Sequence, residues 1–473
     1  MTGDLLNLTA LEQARLIATG AVGEHELLDL QRGAIAHRNP ILNAFVAVID
    51  HDEVATAVES VSDLRGTSFA VKDNIDVRGL PSHAGLRALR ARPATTDAPV
   101  VARLRAAGLH CLGKLNMHPV ALGTTNHNPD FGNALNPWRT TCTPGGSSGG
   151  SGAAVAAGLC GLALGTDTMG SVRIPAAHCG VVGFKPSAGV IATNGVFPLS
   201  TLLDCVGLLG RSVGDIAAAF AVVSAGVAPT SKADAHDATR TRRATTDTRG
   251  ATRSDRAETT GALFDETLRP FAMPGPFAVP ENLDALALEA EVRTAFDQGL
   301  KRLQQRGARI VPLDLGGYPF TRLRRAGLVL CEAELLTTLA EPLRERRTEI
   351  PGDLLAMLNF GASRSGADVA RLLAEVVRWG QWLDRELLPF EGLLMPTTAQ
   401  VAFPMDEPVP HDHADFTAMA NMSGGPSISV PLPVPAGCLP VGLQLTGRRG
   451  ADLRLLDNAQ WIEHILSGNQ HDN

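Results

Sequence analysis

The sequence predicts an α/β protein in which residues 1–473 form a single domain around a large mixed, mostly parallel β-sheet with helices on both faces. Three observations carry this expectation. Short apolar runs of strand type alternate with longer helical stretches, the pattern of helices crossing over a sheet. The composition, 44% hydrophobic and 19% charged over 473 residues, is that of a globular chain able to bury a large core. Strand-type runs also lie on both sides of one strongly polar segment, which favours one large unit over two.

In chain order, LTALEQARLIATG opens the series. Leu11, Ala14, Leu16 and Ile17 roughly share a face, with Thr9 as N-cap and Glu12 three residues on, so a helix is expected. SFAV at 68–71 reads as a short buried strand leading into KDNIDVRG. Residues 98–107 read as a helix and LHCLGKLN as a strand entering a loop. The small-residue stretch from Ala153 to Gly165 suits a helix packed tightly on a sheet, and 215–225 is a further apolar helix. From Ala228 to Ala262 there is no Val, Ile, Leu, Met, Phe, Trp or Tyr. Such a segment cannot offset its ordering entropy by burial, so it reads as a flexible surface insertion or as a lid over a ligand. PFAVP then reads as a strand, 285–305 as an amphipathic helix and ARIVPLDL as a strand. Further helices run to about Leu388, and LLMPTT, SISVPLP and VGLQLTG return to strand signals.

Composition removes several functions. A formal charge of −7 argues against a nucleic-acid-binding surface. The seven cysteines are scattered with no CxxC pair, which reads as free thiols in a reducing compartment and speaks against structural zinc. The N-terminus lacks the basic start of a signal peptide, and no run reaches the roughly 18 apolar residues of a membrane span. A cytoplasmic protein is expected.

The run TPGGSSGGSG, Thr143 to Gly152, has the composition of a linker but opens directly into small apolar sequence. It contains GxSxG twice, centred on Ser147 and Ser148, so an α/β-hydrolase esterase using Ser148 is one reading. That reading needs a preceding strand and a later histidine. RTTCTP is a poor strand, and the later histidines, His413 among them, sit mostly in polar contexts that read as exposed. A phosphate-binding loop fails because no Gly-Lys-Ser/Thr follows, and no GxGxxG opens a helix. Downstream, GTDTMGSVRIPAAHCG sets Ser171 between Gly and Val, where successive backbone N–H groups can form an oxyanion hole. Serine needs a base to act as nucleophile. His178 is seven residues on and equally suits a core position; Lys72, after an apolar strand, is the other candidate if burial lowers its pKa.

Together GGSSGG, GTDTMGSVR and AVKDN resemble the three hallmark motifs of the amidase signature family of serine hydrolases. GKLNMHPVALGTTNHNPDFGNALNPW, LLDCVGLLGRSVGDI, NMSGGPSISVPLP and LPVGLQLTG are similar to it too, so the likeness covers most of the chain outside the polar segment. The resemblance implies the amidase signature fold, no cofactor and no metal. It implies Ser171 as nucleophile, Ser147 as bridging serine after a cis peptide bond at Gly146, and Lys72 as the neutral base. The backbone N–H groups of Thr168, Met169, Gly170 and Ser171 would form the oxyanion hole, while Asp167 and Arg173 would hold that loop. A neutral Lys72 near pH 7 requires its pKa to fall about three units from about 10.4.

Two departures stand out: Met169 replaces the family's usual Gly, and Pro119 stands where relatives often have Glu. The activity implied is hydrolysis of small or aryl amides through an acyl-enzyme, with carbamates (urethanase activity) and esters as side substrates. The expected partner is that small amide or carbamate, with no nucleic acid or membrane, and a homodimer is the expected assembly. The alternative is an A-type subunit of a tRNA-dependent amidotransferase complex.

Overall fold

The structure, a computed structural model, describes residues 5–50, 62–225 and 273–468. The segment 228–262, read above as an insertion or lid, lies outside the described residues. Among the described residues eleven strands form one sheet, in the spatial order β1-β3-β2-β4-β6-β5-β10-β11-β9-β7-β8. They are β1 (Phe45–Val48), β2 (Ser68–Lys72), β3 (His110–Leu115), β4 (Leu162–Asp167), β5 (Val182–Lys185) and β6 (Cys205–Gly210). The second half supplies β7 (Phe277–Pro280), β8 (Ile310–Leu313), β9 (Leu393–Pro396), β10 (Ser427–Leu432) and β11 (Val441–Thr446).

The sheet is mixed, as the sequence predicts, but parallel pairing is less frequent than expected. It joins β2 to β3 and β4, and β7 to β8 and β9. The other named ladders are antiparallel, β4–β6, β5–β6 and β10–β11 among them. The reason lies in the connections: no helix separates β5 from β6 or β10 from β11, and strands joined without a crossover pair antiparallel.

Strand alternation divides the sheet's two faces. Phe69, Val71, Leu162, Leu164 and Leu208 point into one core with Val100, Leu104, Ile216, Phe220, Phe296 and Trp461. Ala70 and Ala163, one residue out of phase, face the opposite side, where Ala153 and Ala154 of the helix Gly149–Ala156 pack. Their small side chains let that helix approach closely. A third cluster covers Leu393 and Met395 of β9 with Leu323, Leu330, Leu358 and Leu383 from the helices between β8 and β9.

Most expected elements appear near their expected bounds. Thr9 and Glu12 form a reciprocal capping box on the helix Ala10–Ala18. The clearest difference is at 153–165. The helix starts earlier, at Gly149 inside the Gly/Ser run, and ends at Ala156, after which Gly158 turns with φ +74°. The apolar LALG stretch is instead part of β4, buried along its whole length. Among the described residues no helix is long and apolar enough to cross a membrane.

Candidate active site

Three parallel strands, β3, β2 and β4, end side by side, and their C-terminal ends carry the polar groups that the motifs singled out. Ligand sites in open α/β sheets form outside such strand ends. Lys72 is the last residue of β2 and is fully buried. Its Nζ donates to Ser147 Oγ at 2.7 Å, to Thr166 Oγ1 at 2.8 Å and to the Thr166 carbonyl at 3.4 Å. Burial pushes this amine down to about 7, although the carboxylates of Asp167 and Asp204 favour its charged form. Asn74 also donates to Thr166 Oγ1, at 3.1 Å, which holds that hydroxyl beside the lysine.

The Gly/Ser run is folded into the centre of this arrangement. The Gly146–Ser147 peptide bond is cis. A Cβ at residue 146 would lie 2.6 Å from the Thr125 nitrogen and 2.7 Å from that of Asn126, so only glycine fits. The His118 N–H donates to the Ser147 carbonyl at 3.0 Å. Ser148, by contrast, is used structurally: its buried hydroxyl donates to the Thr166 carbonyl at 3.2 Å, and no strand leads into it. Its N–H donates to the Ser171 carbonyl at 3.2 Å, which brings the second motif against the first.

The loop between β4 and the helix Arg173–Cys179 carries Ser171, which is 7% exposed. Its peptide groups are fixed from outside. The Asp167 carbonyl accepts from Asn421 Nδ2 at 2.9 Å, the Met169 carbonyl from Thr417 Oγ1 at 2.6 Å, and the Gly170 carbonyl from the Ile174 N–H at 2.8 Å. A peptide's N–H points opposite to its carbonyl, so these bonds also aim the N–H groups of residues 168, 170 and 171. The Gly170 N–H, one of the four expected oxyanion donors, is engaged elsewhere: it donates to Asp167 Oδ1 at 2.7 Å. The N–H groups of Thr168, Met169 and Ser171 remain for that role.

Asp167 and Arg173 are both fully buried. Arg173 grips the carboxylate with two N–H donors and satisfies its remaining donors on Thr417, Asn421, Ser427 and Gln444. Burial alone would raise the Asp167 pKa, but the Arg173 guanidinium outweighs it and holds the carboxyl down at about 2. Thr168 donates its hydroxyl to Asp204 at 2.6 Å, a further tie on the same loop.

Met169 keeps its backbone outside the positive-φ region, and its sulfur lies 2.8 Å from where a Cβ on Gly327 would stand. The thioether therefore packs onto the helix Phe320–Thr338, beside the third core cluster. Pro119 is buried at the start of the short 3₁₀ turn Pro119–Ala121.

His178 and His413 meet each other rather than the serines, with ring centroids 5.0 Å apart. Both are buried, and burial lowers both pKa values, that of His178 to about 4. The sequence placed His413 in an exposed setting; the structure corrects this. Sequence reasoning also passed over Thr166, Asn74, Asp204, Thr417 and Asn421. Four of them lie within quoted segments, Asp204 in LLDCVGLLGRSVGDI and Asn421 at the start of NMSGGPSISVPLP among them, and only Thr417 has no local pattern to mark it.

The model of the family described as Amidase matches residues 27–456. The A subunit of the Glutamyl-tRNA(Gln) amidotransferase of Anaeromyxobacter sp. (strain K) is 33% identical, over 98% of this chain and 97% of its own. The Indoleacetamide hydrolase of Pseudomonas syringae pv. syringae is 31% identical, over 98% of this chain and 100% of its own. Among solved structures, one described as an amidase superimposes with a TM-score of 0.81 at 28% identity, covering 97% of this chain and 100% of that one. By motif, by fold and by match along nearly its whole length, the chain belongs to the amidase signature family.

Proposed function

We propose that the protein hydrolyses small or aryl amides through Ser171, Ser147 and Lys72, with carbamates and esters as side substrates. The observation that carries this reading is the buried Lys72 amine, lowered to about 7 and 2.7 Å from Ser147 Oγ. As a neutral amine, Lys72 directs its two N–H groups to Thr166 Oγ1 and the Thr166 carbonyl and keeps its lone pair for the Ser147 hydroxyl proton. Ser147 passes that proton to Lys72 and takes one from Ser171, whose Oγ attacks the substrate carbonyl. The N–H groups of Thr168, Met169 and Ser171 stabilise the oxyanion, each worth roughly 3–4 kcal/mol by analogy with other serine hydrolases. The lysinium proton returns through Ser147 to the leaving amine, and water then cleaves the acyl-enzyme by the same relay. The free thiols, six of seven buried, suit a cytoplasmic setting.

A second reading draws on the full-length match to the A subunits of amidotransferases. It uses the same three side chains but needs partner chains. The deciding experiment assays the purified chain alone on amides, anilides, carbamates, esters and glutamine, with its mass in solution read by light scattering. Turnover of simple amides or anilides by the isolated protein supports the hydrolase. No turnover, with equimolar partner chains recovered from native extract, replaces that reading with the second.

A further inference from the structure

The helix Phe320–Thr338 presents two faces with different company. Gly327 faces Met169 and the nucleophile loop. Residues 322, 325 and 329 lie on the opposite side of the same helix by its 3.6-residue period. There a cavity of about 460 Å³ opens, bounded also by Phe360, Arg364, Arg371 and Leu372. It is therefore separate from the amide-cleaving site by the thickness of a helix.

Four of its lining residues are arginines in a chain of net charge −7. Two are compensated: Arg322 pairs with Glu375, and Arg371 with Asp368 at 2.8 Å. Arg325 and Arg364 hold no carboxylate in an ion pair among the described residues. Arg364 is already oriented, its guanidinium carbon 4.1 Å from the centroid of the Phe360 ring. Two carboxylates feel Arg364: Glu332, itself pushed up to about 7 by burial and so a weak counter-charge, and the lining Asp368, which Arg371 already engages. The cavity also has an apolar side, formed by Val329, Leu372 and the half-exposed Phe360 ring.

We propose that this cavity binds an organic anion. Arg325 and Arg364 receive a carboxylate or phosphate head, whose geometry matches the planar guanidinium fork. An apolar or aryl body rests on Phe360, Val329 and Leu372. The site is independent of the hydrolytic reading, since none of these side chains belongs to the Lys72 cluster.

Calorimetric titration of the full-length protein tests this with three probes: phenyl phosphate, phenylacetate and inorganic phosphate. At least one aryl anion is expected to saturate a single site, and the tighter of the two identifies the preferred head. Arg325→Ala and Arg364→Ala are each expected to weaken it about tenfold or more, the scale of one lost charge-assisted contact. Phe360→Ala should weaken the aryl probes more than inorganic phosphate, which loses only the ring that orients Arg364. All three side chains are exposed, and melting curves of the variants confirm folding. Absence of saturable binding by either aryl probe overturns the proposal. So does equal affinity in the native protein and both arginine variants, which would locate the probe elsewhere, including at Ser171.

Discussion

Thr166 and Lys72 form the innermost contact of the site: Nζ donates to both the hydroxyl and the carbonyl of the threonine, at 2.8 and 3.4 Å. With Ser147 Oγ at 2.7 Å they surround the amine, which as a neutral base would keep its lone pair for the Ser147 hydroxyl. The protonation state of Lys72 thus becomes measurable through pH.

Activity is expected to fall as pH drops through about 7, where the Lys72 amine takes up its proton and loses its lone pair. A profile of kcat/KM flat from pH 5 to 8 would remove Lys72 as the base. Stability moves the same way. The unfolded lysine keeps its proton to about 10.4, so between about 7 and 10 the unfolded chain binds more protons and native stability rises with pH.

Lys72→Met should separate the two effects. Turnover is expected to fall by on the order of a thousandfold or more, as when one member of a catalytic triad is removed. Stability at pH 6 should rise, by on the order of 1–4 kcal/mol, because a buried amine no longer has to be charged. Chemical denaturation at pH 6 and 9 reads this; a variant less stable than the parent at pH 6 contradicts it.

Ser171, not Ser148, should carry the acyl group. The Ser148 hydroxyl is tied to the Thr166 carbonyl, whereas Ser171 lies on the loop whose N–H groups are aimed by Asn421, Thr417 and Ile174. Fluorophosphonate labelling followed by peptide mass mapping should find the adduct on Ser171. An adduct on Ser148 with Ser171 unmodified would refute the assignment.

Arg173→Gln should have two signatures. Removing one partner of a buried ion pair costs about 3–5 kcal/mol, visible in denaturant melts. The Asp167 carboxylate, which already favours a charged Lys72, would also act without its counter-charge. The acid limb of the pH–rate profile is then expected to move up from about 7. A loss of stability with an unshifted limb would leave Arg173 a purely structural role.

Met169→Gly should accept bulkier acyl groups, since the thioether fills space between the nucleophile loop and Gly327. Because Met169 already has an unstrained φ, the stability loss should be under about 1 kcal/mol, from added backbone freedom. The measurement is kcat/KM for a short and a bulky acyl anilide in both proteins. An unchanged ratio between the two substrates would mean that Met169 points away from the acyl pocket.

Much of the fold is legible because burial leaves a period in the sequence: the Thr9–Glu12 cap and the apolar SFAV, PFAVP and VGLQLTG runs each mark their element locally. Strand direction is not local, which is why the share of antiparallel pairing exceeded expectation. The helix Gly149–Ala156 has poor intrinsic propensity and forms where a Cβ at 149, 150 or 152 would strike Asn126, Asn116 or Pro175, so glycine is required there. For the site, Lys72 and Ser147 were reached through resemblance; spacing alone favoured an exposed surface lysine. Thr417, Asn421 and Gln444 act on residues more than two hundred positions away, and no window of sequence shows that.

Arg173 also ties the site to the order in which the chain is made. Its guanidinium rests on Thr417, Asn421, Ser427 and Gln444, all supplied by the last strands and the helix before them. A nascent chain halted before residue 417 lacks four of the groups that neutralise or accept from this buried cation, and lacks the hydroxyl that holds the Met169 carbonyl. The ribosome therefore delivers Ser171 long before the groups that set the loop carrying it.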